Sequence, residues 1–281
     1  MAAVIPAAFD YLRASSPGEA VSLLAEHGDE AKVLAGGHSL IPLMRLRMAT
    51  PAVLVDIGRI SSLDYVKEDG DCIAVGSLTR HCDVAAAPLV RTEAPLLAEV
   101  AAQIGDPQVR HRGTIGGALA HGDPAADLPA VLLAMGGCVV VLGRAGRREI
   151  GADQLFKDFL ETSLEPDEII VEVRLPKSAG AGFAFEKFNR RAQDWAIVAC
   201  AVMRGERTGV ALVNMATTPV RAAAVEEALA SGASDGEAAE AAAENLDVPE
   251  DLNASVEFRS HLARVLVRRA LARAGGPSSR R

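Results

Sequence analysis

Apolar and polar positions alternate along this chain with a period that changes several times, and the changes mark out its elements. Ser16, Pro17, Gly18 and Glu19 put a hydroxyl cap, a proline at the first helical position and a glutamate at the third, which is the arrangement of a capping box. A helix is predicted from there to about Gly28. Residues 32–35 and 52–56 are short, partly β-branched runs between glycine, proline and polar residues, and read as strands joined by a loop of special residues. A strand at 72–75 ends in Gly76, and residues 93–104 carry apolar side chains at helical spacing before Gly105, Asp106 and Pro107. A short buried helix is expected at 127–135, with strands of one sheet at 138–142 and 168–175. Residues 176–182 gather proline, serine and small residues, and form the best-placed linker.

Beyond that linker, residues 183–188, 197–203 and 210–213 read as a strand meander, followed by alanine-rich helices at 222–229 and 256–272. Residues 232–243 read as a surface helix or a flexible patch without a chemical role, and 275–281 as a frayed tail. No repeat of fixed period is present. The predicted organisation is three α+β units, at 1–58, 59–176 and 182–281.

Composition narrows the function classes. With 281 residues, 49% hydrophobic and 23% charged, the chain can bury a sizeable core. A net charge of -8 and an aromatic content of 4% argue against a basic stacking surface for nucleic acid. Cys72, Cys82, Cys138 and Cys200 form no spacing that suggests zinc or an iron–sulfur cluster, and read as small core residues. No apolar run of about eighteen residues and no export leader is found, so the expected location is the cytoplasm.

The candidate chemistry lies in two glycine-rich stretches. Ala35-Gly36-Gly37-His38-Ser39 follows a strand, and consecutive glycines there let the backbone turn so that several N–H groups face one anion. An ordinary strand-to-helix turn is the other reading of the same residues. Gly113-Thr114-Ile115-Gly116-Gly117 forms a second loop, followed closely by His121-Gly122-Asp123-Pro124 and Asp127. Neither matches the G-x-G-x-x-G pattern of a Rossmann unit, so a dinucleotide site would have to be assembled between two separated loops. His38, His81 and His121 are not spaced as metal ligands, and no metal is expected.

These residues carry a resemblance. The run from Ala35 to Met44, Asp106-Pro107-Gln108-Val109-Arg110 leading into the second loop, and Gly122-Asp123-Pro124 are similar to the FAD-binding medium subunits of molybdenum hydroxylases. That group includes the carbon monoxide dehydrogenases and the flavin domain of xanthine dehydrogenase, and the likeness covers nearly the whole chain. It implies a two-subdomain FAD-binding fold of the vanillyl-alcohol oxidase type plus a C-terminal α+β domain. FAD would lie in the cleft between the first two units, held without a covalent bond.

By the same resemblance the pyrophosphate and its neighbours are bound by Ala35, Gly36, Gly37, His38, Ser39 and Leu40, and by Gly113, Thr114, Ile115, Gly116, Gly117 and Ala118. Relatives usually carry asparagine where this chain has Ala118. Asp127 matches an acid near the flavin or its ribityl chain; by its surroundings alone it reads as a helix N-cap. Lys187 matches a lysine close to the ring, where a cation opposes negative charge on reduced flavin, and alone would pass as an exposed strand lysine. Ile170 matches an aliphatic contact, and Trp195, the only tryptophan, an aromatic placed against the ring face. The implied partners are a large molybdopterin subunit and a small subunit with two-iron, two-sulfur clusters, in a dimer of heterotrimers. A stand-alone flavin oxidase or reductase, and a flavin-free assembly scaffold favoured by Ala118, remain alternatives.

Overall fold

The structure, a computed structural model, describes residues 5–276. Its first sheet is parallel and three-stranded, built from β1 (Asp10–Arg13), β2 (Ala31–Leu34) and β3 (Val53–Asp56) in the order β1-β3-β2. Parallel strands need a crossover, and the helix Pro17–His27 supplies the one between β1 and β2, which flank β3, burying Ala20, Val21 and Leu24. Ser16 caps this helix, its hydroxyl accepting from Glu19 N at 3.1 Å. The expected capping box closes one residue early, because the Glu19 carboxylate takes both the amide and the hydroxyl of Ser15 rather than the single amide of Ser16. The loop expected between β2 and β3 contains a short helix, Leu40–Arg45, with Pro42 in its first turn, where no amide is needed.

The second sheet is antiparallel and five-stranded: β4 (Val66–Asp69), β5 (Cys72–Gly76), β6 (Cys138–Gly143), β7 (Gly146–Gly151) and, after a small hairpin of β8 (Phe156–Asp158) and β9 (Glu161–Thr162), the central β10 (Ile169–Pro176). Its order is β4-β5-β10-β6-β7. Val140, Ile169 and Val171 on one face join the core under the helix Pro17–His27, so the first sheet closes its interior on the second. The helix predicted at 93–104 is Pro95–Gln103, and a separate helix, Pro88–Glu93, precedes it, each opened by proline.

The third sheet runs β11 (Phe183–Phe188), β12 (Val198–Met203), β13 (Gly209–Val213) and β14 (Val220–Arg221), each antiparallel to the next. Strands β12 and β13 are buried on both faces, which explains their unbroken apolar runs. Ala199, Ala201, Ala211 and Val213 belong to the core around the helix Asp127–Met135, and Cys200, Val202, Val210 and Leu212 to that under the helix Val256–Gly275. All nine residues of the helix Asp127–Met135 are buried. Strand β13 approaches its end so closely that a Cβ at Gly209 would lie 2.0 Å from the Ala134 carbonyl oxygen. Arg221 Nη1 donates to Leu133 O at 2.7 Å, adding a side-chain donor to a last-turn carbonyl that also accepts from Gly136 N at 3.0 Å.

Of the two readings of residues 232–243, the helical one holds: the helix Asp235–Glu240, with a complete capping box at Ser234 and Glu237, buries Ala238 and Ala239, and Ala242 follows them into the C-terminal core. Two other expectations need correction. Only Cys200 is a fully buried cysteine; Cys72, Cys82 and Cys138 are half-buried, and all four are free thiols. The last helix runs to Gly275, into the stretch expected to fray, and the tail from 277 lies outside the described residues.

Candidate functional site

The chain leaves β2 at Leu34 and turns through the first glycine loop, with Gly37 at φ 78°, a left-handed conformation that favours glycine. The amides of Gly36, Gly37, His38, Ser39 and Leu40 donate to no protein acceptor among the described residues. Consecutive open N–H groups of this kind form a concavity with a positive lining, suited to an anion.

The second stretch is not a free loop. Thr114 caps the helix Ile115–His121, so Gly116 and Gly117 stand in its first turn. Their donors are engaged within the chain: Ile115 N donates to Thr79 O at 3.1 Å, Gly116 N to Ser77 O at 2.9 Å and Gly117 N to Thr114 Oγ1 at 3.2 Å. The resemblance assigns both stretches to the pyrophosphate, but the amides are open in the first, while those of Ile115, Gly116 and Gly117 in the second are taken. Residues 77–79, directly after β5, clamp the second stretch in place. Ala118 N donates to Thr114 O at 3.0 Å, and its half-buried methyl packs on the central core.

The two stretches meet. A Cβ on Gly36 would lie 2.2 Å from Arg112 O and 3.1 Å from Gly113 Cα, and one on Gly117 would lie 3.9 Å from Ala35 Cβ. The open amides of the first loop are thus pressed against a rigid wall formed by the second. Ile170 is buried in the central core beside a register shift in β10, and Val171 O accepts from Ser77 N at 3.1 Å, which links this strand to the same wall.

Asp127 and Lys187 also come together, Nζ to Oδ2 at 2.7 Å, with side chains only 5% and 9% exposed. Lys187 is therefore not an exposed strand lysine. Nor is Asp127 an N-cap: the cap is Ala126, and Asp127 is the first helical residue. Burial pushes the Asp127 carboxyl above the usual range, and Lys187 pulls against that shift. Its second oxygen, Oδ1, is buried with no hydrogen-bond partner among the described residues. An orphan of this kind costs about 1–3 kcal/mol unless something else donates to it. Beside Lys187 opens a cavity of about 290 Å³, lined by Ala102, Gln103, Gly105, Arg110 and Asn189. Trp195 is 70% exposed on the connection between β11 and β12, so the lone tryptophan is not a core residue.

His81 belongs to the site although its sequence context gave no sign of it. It is 4% exposed, a Cβ on Gly113 would touch its ring at 2.7 Å, and its Nδ1 has no partner among the described residues. Burial, then the charges of Arg80, His38 and Arg110, bring its pKa from 6.5 down to about 4. A base held neutral in this way contributes stability that is complete above 6.5 and is lost as pH falls through 4. Urea unfolding should accordingly weaken by roughly 3 kcal/mol between pH 7 and pH 4 beyond the general acid effect. His81→Leu should remove that increment, and an unchanged pH profile would show that the ring is not held neutral.

Open amides against a rigid wall, together with a buried carboxylate and cation, suit a dinucleotide-binding protein. Residues 7–178 match the model of the FAD binding domain in molybdopterin dehydrogenase, and residues 183–274 that of the CO dehydrogenase flavoprotein C-terminal domain. The chain belongs to this family of FAD-binding chains of molybdopterin-dependent dehydrogenases. It is 42% identical to the carbon monoxide dehydrogenase medium chain of Hydrogenophaga pseudoflava, over 95% of this chain and 97% of that one. It is 38% identical to the 6-hydroxypseudooxynicotine dehydrogenase complex subunit alpha of Paenarthrobacter nicotinovorans, over 96% and 95% of the two chains. A solved structure of the Hydrogenophaga pseudoflava carbon monoxide dehydrogenase superposes with a TM-score of 0.92 at 43% identity, covering 96% of this chain and 98% of that one. These relatives are dehydrogenase subunits, and the expected α+β fold with a FAD-binding region and a C-terminal α+β domain is borne out. Among the described residues no helix is long and apolar enough to cross a membrane.

Proposed function

We propose that this chain is the flavin subunit of a heteromeric molybdenum hydroxylase, carrying electrons rather than oxidising the substrate itself. The observation that supports it most is the contact of the two glycine stretches, with five open amides on one side of the contact. In this reading the amides of Gly36, Gly37, His38, Ser39 and Leu40 hold the FAD pyrophosphate without a covalent link, while Ala35 and residues Gly113, Thr114, Ile115, Gly116, Gly117 and Ala118 shape the wall against it. Charge-assisted bonds from backbone donors to a phosphate are short and strong, so few cationic side chains are required.

Asp127 offers its unpartnered Oδ1 to a hydroxyl or N–H of the cofactor. Lys187 gives one of three donors to Asp127, leaving two for acceptor atoms of the ring. The cavity beside Lys187 receives the ring edge, Ile170 supports the site from β10, and Trp195 covers the ring face. When bound, FAD supplies the redox step between iron–sulfur clusters of a small partner subunit and an external acceptor. Molybdopterin belongs to a large partner subunit, and the assembly is a dimer of heterotrimers. Four free thiols suit the reducing cytoplasm.

Titrating the flavin-free full chain with FAD tests the reading. One equivalent should bind, give a yellow protein and quench the emission of Trp195. Absence of uptake would leave the scaffold alternative, and steady oxidation of aldehydes or N-heterocycles by the chain alone with a dye acceptor would replace the subunit reading.

A further inference from the structure

Trp195 is held by little of its own. In the connection at 189–197, Asp194 N donates to Arg191 O at 3.0 Å and Asn189 Nδ2 to Asp194 O at 3.5 Å, and both bonds are internal to the loop. The indole is largely in solvent. Its position is therefore set by the backbone that follows it, Ala196 and Ile197, whose carbonyls are both taken by side chains from elsewhere in the C-terminal unit.

Asn214, at the end of β13, donates from Nδ2 to Ala196 O at 3.0 Å. Arg259, only 1% exposed, donates to Ile197 O and, at 3.3 Å, to Asn214 O, and is paired with Asp251 at 2.7 Å. Asn214 N donates to Pro124 O at 2.8 Å, in the segment that leads into Asp127. One residue thus ties the carbonyl beside Trp195 to the backbone just before the buried carboxylate. It does so at φ 61°, a left-handed conformation that asparagine tolerates better than most residues and that few non-glycine residues adopt. Held there, it turns its main-chain donor to one part of the site and its side-chain donor to another.

We propose that Asn214 is a positioning residue of the flavin site: it sets the indole of Trp195 in register with the Asp127–Lys187 pair, with Arg259 as its brace. The proposal rests on the FAD reading only for the indole's role, since the bonds themselves belong to the chain. It accounts for a left-handed asparagine and a buried arginine meeting where the sheet has no other need of polar groups.

The test uses the full chain and Trp195, its only tryptophan, as reporter. Asn214→Gly removes the Nδ2 donor and keeps the left-handed backbone accessible. Loss of one neutral hydrogen bond should lower the ratio of ordered to open loop roughly fivefold. That change is read as lower emission anisotropy and readier acrylamide quenching without FAD, and as weaker quenching by bound FAD. Asn214→Asp, which keeps the conformational preference but sets an acceptor against the Ala196 carbonyl, should lower anisotropy at least as far, and decides the matter should Asn214→Gly fail to fold. Asn245→Gly, another left-handed asparagine at φ 61° but outside the site, should match the parent. Parent-like anisotropy in both Asn214 variants, or an equal fall in Asn245→Gly, overturns the proposal. If the parent takes up no FAD, the functional reading fails, while the anisotropy of the flavin-free variants still decides the role of Asn214.

Discussion

Gly36→Val should yield protein that purifies without flavin colour and takes up FAD at least about 100-fold more weakly, the equivalent of losing two charge-assisted amide bonds. The cause is local and steric. The first carbon of any side chain at this position would lie 2.2 Å from the Arg112 carbonyl, and that atom is backbone, so no rotamer change can clear it. The two stretches must part, and the open amides lose their wall. Overpacking of this kind also costs about 1–3 kcal/mol of folding stability. Gly116→Ala should act similarly, since its Cβ would lie 2.5 Å from Ser77 Cβ and 2.8 Å from Ser77 O. Gly18→Ala serves as the control, because nothing lies within 4 Å of its added carbon and it stands in a helix. It should gain roughly 0.5–1 kcal/mol and leave flavin content unchanged. Flavin-to-protein ratio and thermal melting after purification check all three; full flavin content in Gly36→Val would show that the contact is not what shapes the site.

Lys187→Met should destabilise the chain by about 3–5 kcal/mol near neutral pH, because it leaves a buried carboxylate without its counter-charge. The pH dependence identifies the cause. The Asp127 carboxyl already stands above its ordinary value because of burial, so the folded state holds its proton more tightly than the unfolded state. Stability from such a group is complete below the unfolded pKa and declines as pH rises through the folded one. Without Lys187 the folded value rises further, and the loss deepens towards neutral pH. The variant should therefore recover part of its stability on acidification, the reverse of the trend set by His81. Asp127→Asn combined with Lys187→Met should be closer to the parent than either single change, since no isolated charge is left inside. Urea unfolding of the three variants at pH 5 and 7 measures this, and equal, pH-independent losses in both single variants would rule the ion pair out as the source.

How much of this was legible in the sequence depends on how far each feature reaches along the chain. The buried helix at 127–135 and the strand at 138–142 were legible because burial leaves nearly continuous apolar runs, and the strand at 168–175 because Ile169, Ile170, Val171, Val173 and Leu175 stand out around Glu172 and Arg174. Strands β1, β4 and β7 were not, since Asp10, Arg13, Lys67, Glu68, Arg147 and Arg148 line the edges of their sheets and mask the alternation. The glycine stretches were visible as sequence, but nothing in them distinguishes an open turn from a helix start whose amides are already bonded. That difference lies in Ser77 and Thr79, more than thirty residues upstream of the amides they accept from. His81, Asn214 and Arg259 were likewise hidden, because each acts through a partner that only the tertiary fold brings near. Ser77-Leu78-Thr79, polar residues directly after the end of β5, was the one local hint that went unused.

The helix Asp127–Met135 has no side open to water, and this bears on how the molecule comes apart. Neither flanking sheet has a finished surface without it, so melting of one lays bare the apolar flank of the other. The cofactor region and the C-terminal unit are consequently coupled through one shared core, so local opening in either reaches the other. Disturbance at the carboxylate that begins this helix enters the most constrained part of the chain.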